Sequence, residues 1–168
     1  MQVSEIWRYP FKSMVGERVD AAELAERGMV GDRAWAVRDE VRGGIRGAKK
    51  IGGLMRLAAA YADGPGSPVT ITLPDGSTTT TDADDAAAVV SGAIDHEVTL
   101  WPLQPATDLD HYRRGAPDSD DLLEELNAIF GREEGEPLPD LSVFPPEILE
   151  FESPLGTYVD AFPILLLS

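Results

Sequence analysis

Two short stretches of this 168-residue chain carry groups suited to holding an anion. Tyr9-Pro10-Phe11-Lys12-Ser13 brings an ammonium and a hydroxyl, and Gly31-Asp32-Arg33-Ala34-Trp35 brings a guanidinium. A phosphate is held by several short, charge-assisted donors converging on its oxygens. Arginine offers a planar fork, lysine a point charge and serine a hydroxyl, while a turn adds backbone N–H groups. The chemistry in view is anion binding at Lys12, Ser13 and Arg33, with no catalytic residue assigned. The competing reading leaves Lys12 solvated in its turn and pairs Arg33 with Asp32 or another acid.

About twenty residues separate the two turns, room for a strand out, a loop and a strand back. Such a meander can bring both turns to one rim of a sheet. Val3 to Tyr9 reads as the outgoing strand, and Pro10 stops regular pairing. Gly16-Glu17 is a turn and Val19 to Leu24 the return strand. Gly28 and Gly31 bracket the next turn, and alternation puts Arg33, Trp35 and Val37 on one strand face. Trp7 and Trp35 are expected to be core residues rather than ligand contacts.

Further along, Asp39 to Gly44 is a hairpin loop, while Leu54 to Tyr61 is Ala-rich and fits helix or strand equally. Val69 to Leu73 alternates as a strand, Pro74-Asp75-Gly76 turns, and Ser77 to Thr81 pairs back. Asp82 is expected to cap a short helix through about Ser91, with Gly92 as its stop, and Glu97 to Pro102 forms another strand. Ser119, then Asp120 and Asp121, precede Leu122, Leu126, Ile129 and Phe130 at helical spacing, and Gly131 follows. That pattern predicts one amphipathic helix near 120–130. Many short strands with near-regular turns predict a mainly β fold with added helices, a small antiparallel β-barrel.

Net charge is −16, unevenly spread: 11 Lys/Arg against 8 Asp/Glu over residues 1–56, and 3 Arg against 14 acids over residues 107–152. An acidic chain repels nucleic acid and anionic membranes as a whole, so neither is an expected partner. A local basic excess within it can still mark an anion site. The absence of cysteine excludes disulfides and thiolate metal sites. With no basic, apolar leader and no long apolar run, the expectation is a soluble cytoplasmic protein. His96 and His111 are isolated, so no metal site is assigned. Arg46, Lys49 and Lys50 read as a solvated, charge-protected strand edge, and Asp120, Asp121, Glu124 and Glu125 as a solvated helix face.

Ile6-Trp7-Arg8-Tyr9-Pro10-Phe11-Lys12-Ser13-Met14, then Gly16-Glu17, then Gly28-Met29-Val30-Gly31-Asp32-Arg33-Ala34-Trp35 resembles the N-terminal β-barrel region of MOSC-domain proteins. That family includes the mitochondrial amidoxime-reducing component, its bacterial relatives and the C-terminal part of molybdenum-cofactor sulfurases. The likeness is dense to about residue 62 and patchy to Pro102. It returns at Tyr158 to Ser168, which resembles the segment leading into the MOSC domain proper. The resemblance implies a barrel domain over 1–105, an acidic helix-containing insertion over 106–152, and the start of a truncated MOSC domain over 153–168. It also implies a short helical turn followed by a strand within Leu54 to Tyr61.

The same resemblance implies that Lys12, Ser13 and Arg33 help hold the phosphate end of the molybdenum cofactor, molybdopterin. The family's molybdenum-ligating cysteine has no counterpart here. Expected partners are the cofactor, the remainder of the MOSC domain and a redox partner protein. The full-length form would be an oxidoreductase acting on N-hydroxylated substrates, or a sulfur carrier, and this chain alone would be inactive. The alternatives are a stand-alone β-barrel binding or interaction module, or an inert fragment. The apolar run Ile164 to Leu167 is expected to form a strand against the barrel or to lie partly uncovered in an exposed apolar patch.

Overall fold

A computed structural model describes residues 3–119, 122–133, 135–140, 150–160 and 162–165. The chain is mainly β with few helices. The strands are β1 (Ile6–Arg8), β2 (Glu17–Val19), β3 (Leu24–Ala25), β4 (Gly28–Met29), β5 (Trp35–Asp39), β6 (Ile45–Arg46), β7 (Ala58–Tyr61), β8 (Val69–Thr72), β9 (Thr78–Thr80) and β10 (Val98–Pro102). The α-helices are α1 (Ala86–Ile94), α2 (Leu109–Tyr112) and α3 (Leu122–Ile129), and a 3-10 turn spans Gly52–Arg56.

Among the described residues the strands pair, all antiparallel, as four small sheets: β1-β2, β3-β4, β10-β5-β6 and β7-β8-β9. Among the described residues no continuous ladder closes them into a barrel. Single parallel bridges, Phe11 to Trp35 and Val15 to Ala58, stitch the first hairpin to β5 and β7. A one-residue bridge supplies that link where the Pro10 turn interrupts regular pairing.

β5 separates two cores. Val37 faces a cluster with Phe11, Leu54, Ile71 and Val90. Ala36, on the opposite face by strand alternation, joins Ile45, Tyr112, Phe151 and Tyr158. Burying Phe151 and Tyr158 there brings residues 151–158 onto the same scaffold as β5. The segment after α2 packs equally closely on the β5-β6 hairpin. A Cβ on Gly115 would lie 1.8 Å from the Gly43 carbonyl oxygen, so only glycine fits.

Several local expectations need correcting. The return strand begins at Glu17, directly after the Gly16 turn, and is over by Val19. Asp82 accepts from the Thr80 hydroxyl instead of capping a helix. α1 starts after Asp85, runs through Gly92 and ends on Asp95 in the left-handed region. Its Ser91 hydroxyl bonds both Ala87 O and the Val98 backbone, docking the helix on β10. Trp7 is 43% exposed, on the open face of β1. Trp35 does serve the core, stacked on Phe11 with ring centroids 5.7 Å apart.

α3 lies where the spacing predicts it. It is closed by Gly131 at φ 59°, with Arg132 N–H donating to Asn127 O. The acids Asp120 and Asp121 and the side chains of Leu122 and Ile129 lie outside the described residues. Ile164 and Leu165 are exposed and form no strand, Phe162 is exposed beside them, and Leu166 to Ser168 lie outside the described residues. Among the described residues no helix is long and apolar enough to cross a membrane.

Candidate functional site

The two anion-suited turns lie side by side. Lys12 N–H donates to Trp35 O at 2.9 Å, Trp35 N–H to Pro10 O at 3.0 Å, and Arg33 N–H to Tyr9 O at 2.6 Å. The Asp32 carboxylate adds a fourth tie, its Oδ1 accepting from Tyr9 N–H at 2.7 Å. Arg33 therefore precedes β5 instead of sharing a strand face with Trp35 and Val37. Its φ of 48° ends the Gly31 turn in the left-handed region, where alternation does not apply.

Among the described residues three non-glycines have positive φ: Ser13, Arg33 and Asp95. Asp95 terminates α1, an ordinary place for it. The other two are both predicted anion ligands. That conformation costs a non-glycine residue on the order of 1–3 kcal/mol and persists only where surrounding bonds hold it. Here the cross-turn ladder holds it.

The side chains turn toward one short segment near the end of the described chain. Lys12 is not solvated: its side chain is 4% exposed, and Nζ donates to Tyr158 O at 3.1 Å and to Asp160 Oδ1 at 2.5 Å. Asp160 itself is 84% exposed. Arg33 does pair with Asp32, Nε and Nη2 lying 2.6 and 2.5 Å from Oδ2. The rest of its fork also donates to Pro163 O at 2.7 Å and reaches Phe162 O at 3.5 Å. Ser13 Oγ accepts from Ala48 N–H at 3.0 Å, leaving its own proton to give. Lys12 and Arg33 thus converge on Tyr158, Asp160, Phe162 and Pro163, while the Ser13 hydroxyl accepts from the loop after β6 and keeps its proton.

Pro163 comes this close because residue 28 is glycine. A Cβ there would lie 2.8 Å from Pro163 Cβ, at a φ of 107°. Tyr158 is anchored from below, its hydroxyl donating to Pro102 O at 3.0 Å and meeting His111 Nε2 at 2.6 Å. Burial pushes the His111 pKa down and the Tyr158 pKa up, so both are neutral at pH 7. Glu152, bound to Arg114 at 2.8 Å, is pushed up by burial, against the pull of Arg114, Arg46 and Lys12.

The other basic residues divide. Lys49 is exposed, as a solvated edge requires. Arg46 is buried, donating to Gly43 O and Ala116 O, with Asp39 3.8 Å away. Lys50 bridges Asp118 and Glu125 at 2.6 and 2.7 Å. Burial lowers its pKa, but the two carboxylates outweigh that and hold it raised. Glu125 is accordingly an inward residue of α3 and not part of a solvated face. His96 Nε2 sits 2.9 Å from Asp39 Oδ1 without aligned hydrogen-bond geometry.

Sequence reasoning missed three groups: Asp32 as the brace between the turns, and Asp160 and the Tyr158 carbonyl as the partners of Lys12. Asp32 had a signal, its position inside the second anion-suited stretch. No periodicity reports a pairing across 148 residues.

The fold is that of a small, mainly β domain whose first hairpin is bonded to β5 through the Lys12 and Arg33 turns. Residues 1–107 match the MOSC N-terminal beta barrel domain, and the chain belongs to that family. No curated protein matches the chain.

Proposed function

We propose that this chain supplies the phosphate-binding half of a molybdenum-cofactor site in an oxidoreductase or sulfur-carrier protein, with Lys12, Ser13 and Arg33 as the donors. The observation that carries the reading is the pair of bonded turns, whose Ser13 and Arg33 are held at positive φ and whose Lys12 and Arg33 are aimed at one segment. An ammonium, a guanidinium fork and a hydroxyl with a free proton suit the oxygens of a phosphate. They do not suit the metal end. The chain has no cysteine, so a soft sulfur ligand for molybdenum comes from the remainder of the MOSC domain. The cofactor, when bound, supplies the redox chemistry. This chain's residues bind and orient its phosphate, and a redox partner protein delivers electrons.

The test measures molybdenum per protein after desalting, with the cysteine-bearing remainder supplied fused or in trans. The chain alone is expected to retain little metal, and the completed protein to retain it. Arg33→Ala in the completed protein is expected to lower retention. Full retention by a folded Arg33→Ala variant refutes the phosphate role, and stoichiometric metal on the chain alone refutes the need for an outside ligand.

One observation favours a second reading, a β module without catalysis. Lys12 and Arg33 already spend donors on the chain's own carbonyls and carboxylates. On that reading Lys12→Met and Arg33→Ala both lose stability while metal retention is untouched.

A further inference from the structure

We infer that Asp160 is a built-in competitor for the anion site, so that phosphate binding excludes the contacts of Lys12 with Asp160 and of Arg33 with Pro163. The inference rests on the phosphate reading above and adds its regulation. Lys12 Nζ is almost wholly covered, and the carboxylate 2.5 Å from it is the most exposed of the groups that touch it. An incoming anion meets Lys12 from the side Asp160 occupies. Two anions beside one ammonium repel, and a buried ammonium has no bulk water to screen them. Arg33 tells the same story from the other turn. Its Nη2 donates to Pro163 O, so a phosphate using that corner of the fork displaces the segment as well.

The consequence is a coupling in both directions. Each closed molecule must release Asp160 before it binds, so the apparent dissociation constant is the intrinsic one divided by the open fraction. A segment held shut nine times in ten weakens apparent affinity about tenfold. Bound phosphate, in turn, frees Asp160 and Pro163 from the two turns, and the already exposed Phe162 and Leu165 move with them.

Isothermal titration with inorganic phosphate at low ionic strength tests this, on the full chain. Wild type, Asp160→Ala, Lys12→Met and Asp110→Asn are compared. The last removes an equally exposed carboxylate that pairs with Arg113, away from the site. Asp160→Ala is expected to tighten phosphate binding about tenfold, with Asp110→Asn unchanged. Saturating phosphate is expected to lower the 15N heteronuclear NOE at Phe162 and Ile164 in wild type, as the segment gains fast motion. If Lys12→Met abolishes binding but Asp160→Ala matches wild type, the competition is refuted and the phosphate site stands. If phosphate binds wild type without altering the heteronuclear NOE at Phe162 and Ile164, the competition is refuted too. If no variant binds phosphate, Asp160→Ala included, the phosphate site itself is refuted.

Discussion

Removing the Asp32 carboxylate is the sharpest test of how the two turns are held. Its side chain is 7% exposed and accepts three contacts: Tyr9 N–H at 2.7 Å, Arg33 Nε at 2.6 Å and Arg33 Nη2 at 2.5 Å. Hydrogen bonds to a charged group contribute about 1.5–3 kcal/mol each when buried. The Tyr9 amide lies at the surface, where water replaces the lost acceptor, so its bond counts near the bottom of the neutral range, about 0.5 kcal/mol. The Arg33 side chain is 19% exposed, and its two contacts share one oxygen, so they count as one strong bond of about 2 kcal/mol. Asp32→Ala is therefore expected to cost about 2.5 kcal/mol in urea unfolding, with the m-value unchanged. Asp32→Asn keeps a carbonyl for Tyr9 N–H and loses the charge at Arg33, so it should cost about 1–2 kcal/mol. A loss below about 0.5 kcal/mol for Asp32→Ala would mean that the backbone ladder alone holds the turns. An Asn variant worse than Ala would show that the pairing with Arg33 was misjudged.

Gly115→Ala should cost at least about 3 kcal/mol, because its Cβ would overlap the Gly43 carbonyl and only backbone movement relieves it; thermal unfolding of the variant checks this. Phe11→Ala, removing a fully buried ring stacked on Trp35, should cost about 3–5 kcal/mol by urea titration. Burial lowers the His111 pKa below its ordinary 6.5, so the unfolded chain takes up that proton first as pH falls. Stability is then complete above about pH 6.5 and declines below it, a decline His111→Gln should lack in urea titrations across that range.

How much of this was legible depends on the range of the interaction. β8 and β9 could be read because Val69, Ile71 and the threonines alternate around Pro74-Asp75-Gly76, and a hairpin is written entirely in neighbours. Trp7 misled because an aromatic on a strand marks an apolar side chain, not which face is covered, and the β1-β2 sheet leaves that face open. Arg33 misled because one left-handed residue breaks the period of two. Arg46 and Glu125 are buried by groups 70 and 75 residues away, distances over which no pattern in charge or hydropathy reports. Lys12, Ser13 and Arg33 could be singled out by type as charged or hydroxyl donors in two turns. That two of them converge on Tyr158, Asp160 and Pro163 could come only from three dimensions.

The link from Lys12 to Tyr158 spans 146 residues, nearly the whole chain. Closing a loop of that length costs roughly 4 kcal/mol of chain entropy, which one ion pair cannot meet. The Tyr158 ring buried beside Tyr112 and His111 must offset most of it. During synthesis the ammonium of Lys12 waits in water until the ribosome has released Tyr158 and Asp160, so these contacts form only after the strands between residues 6 and 102 have been made.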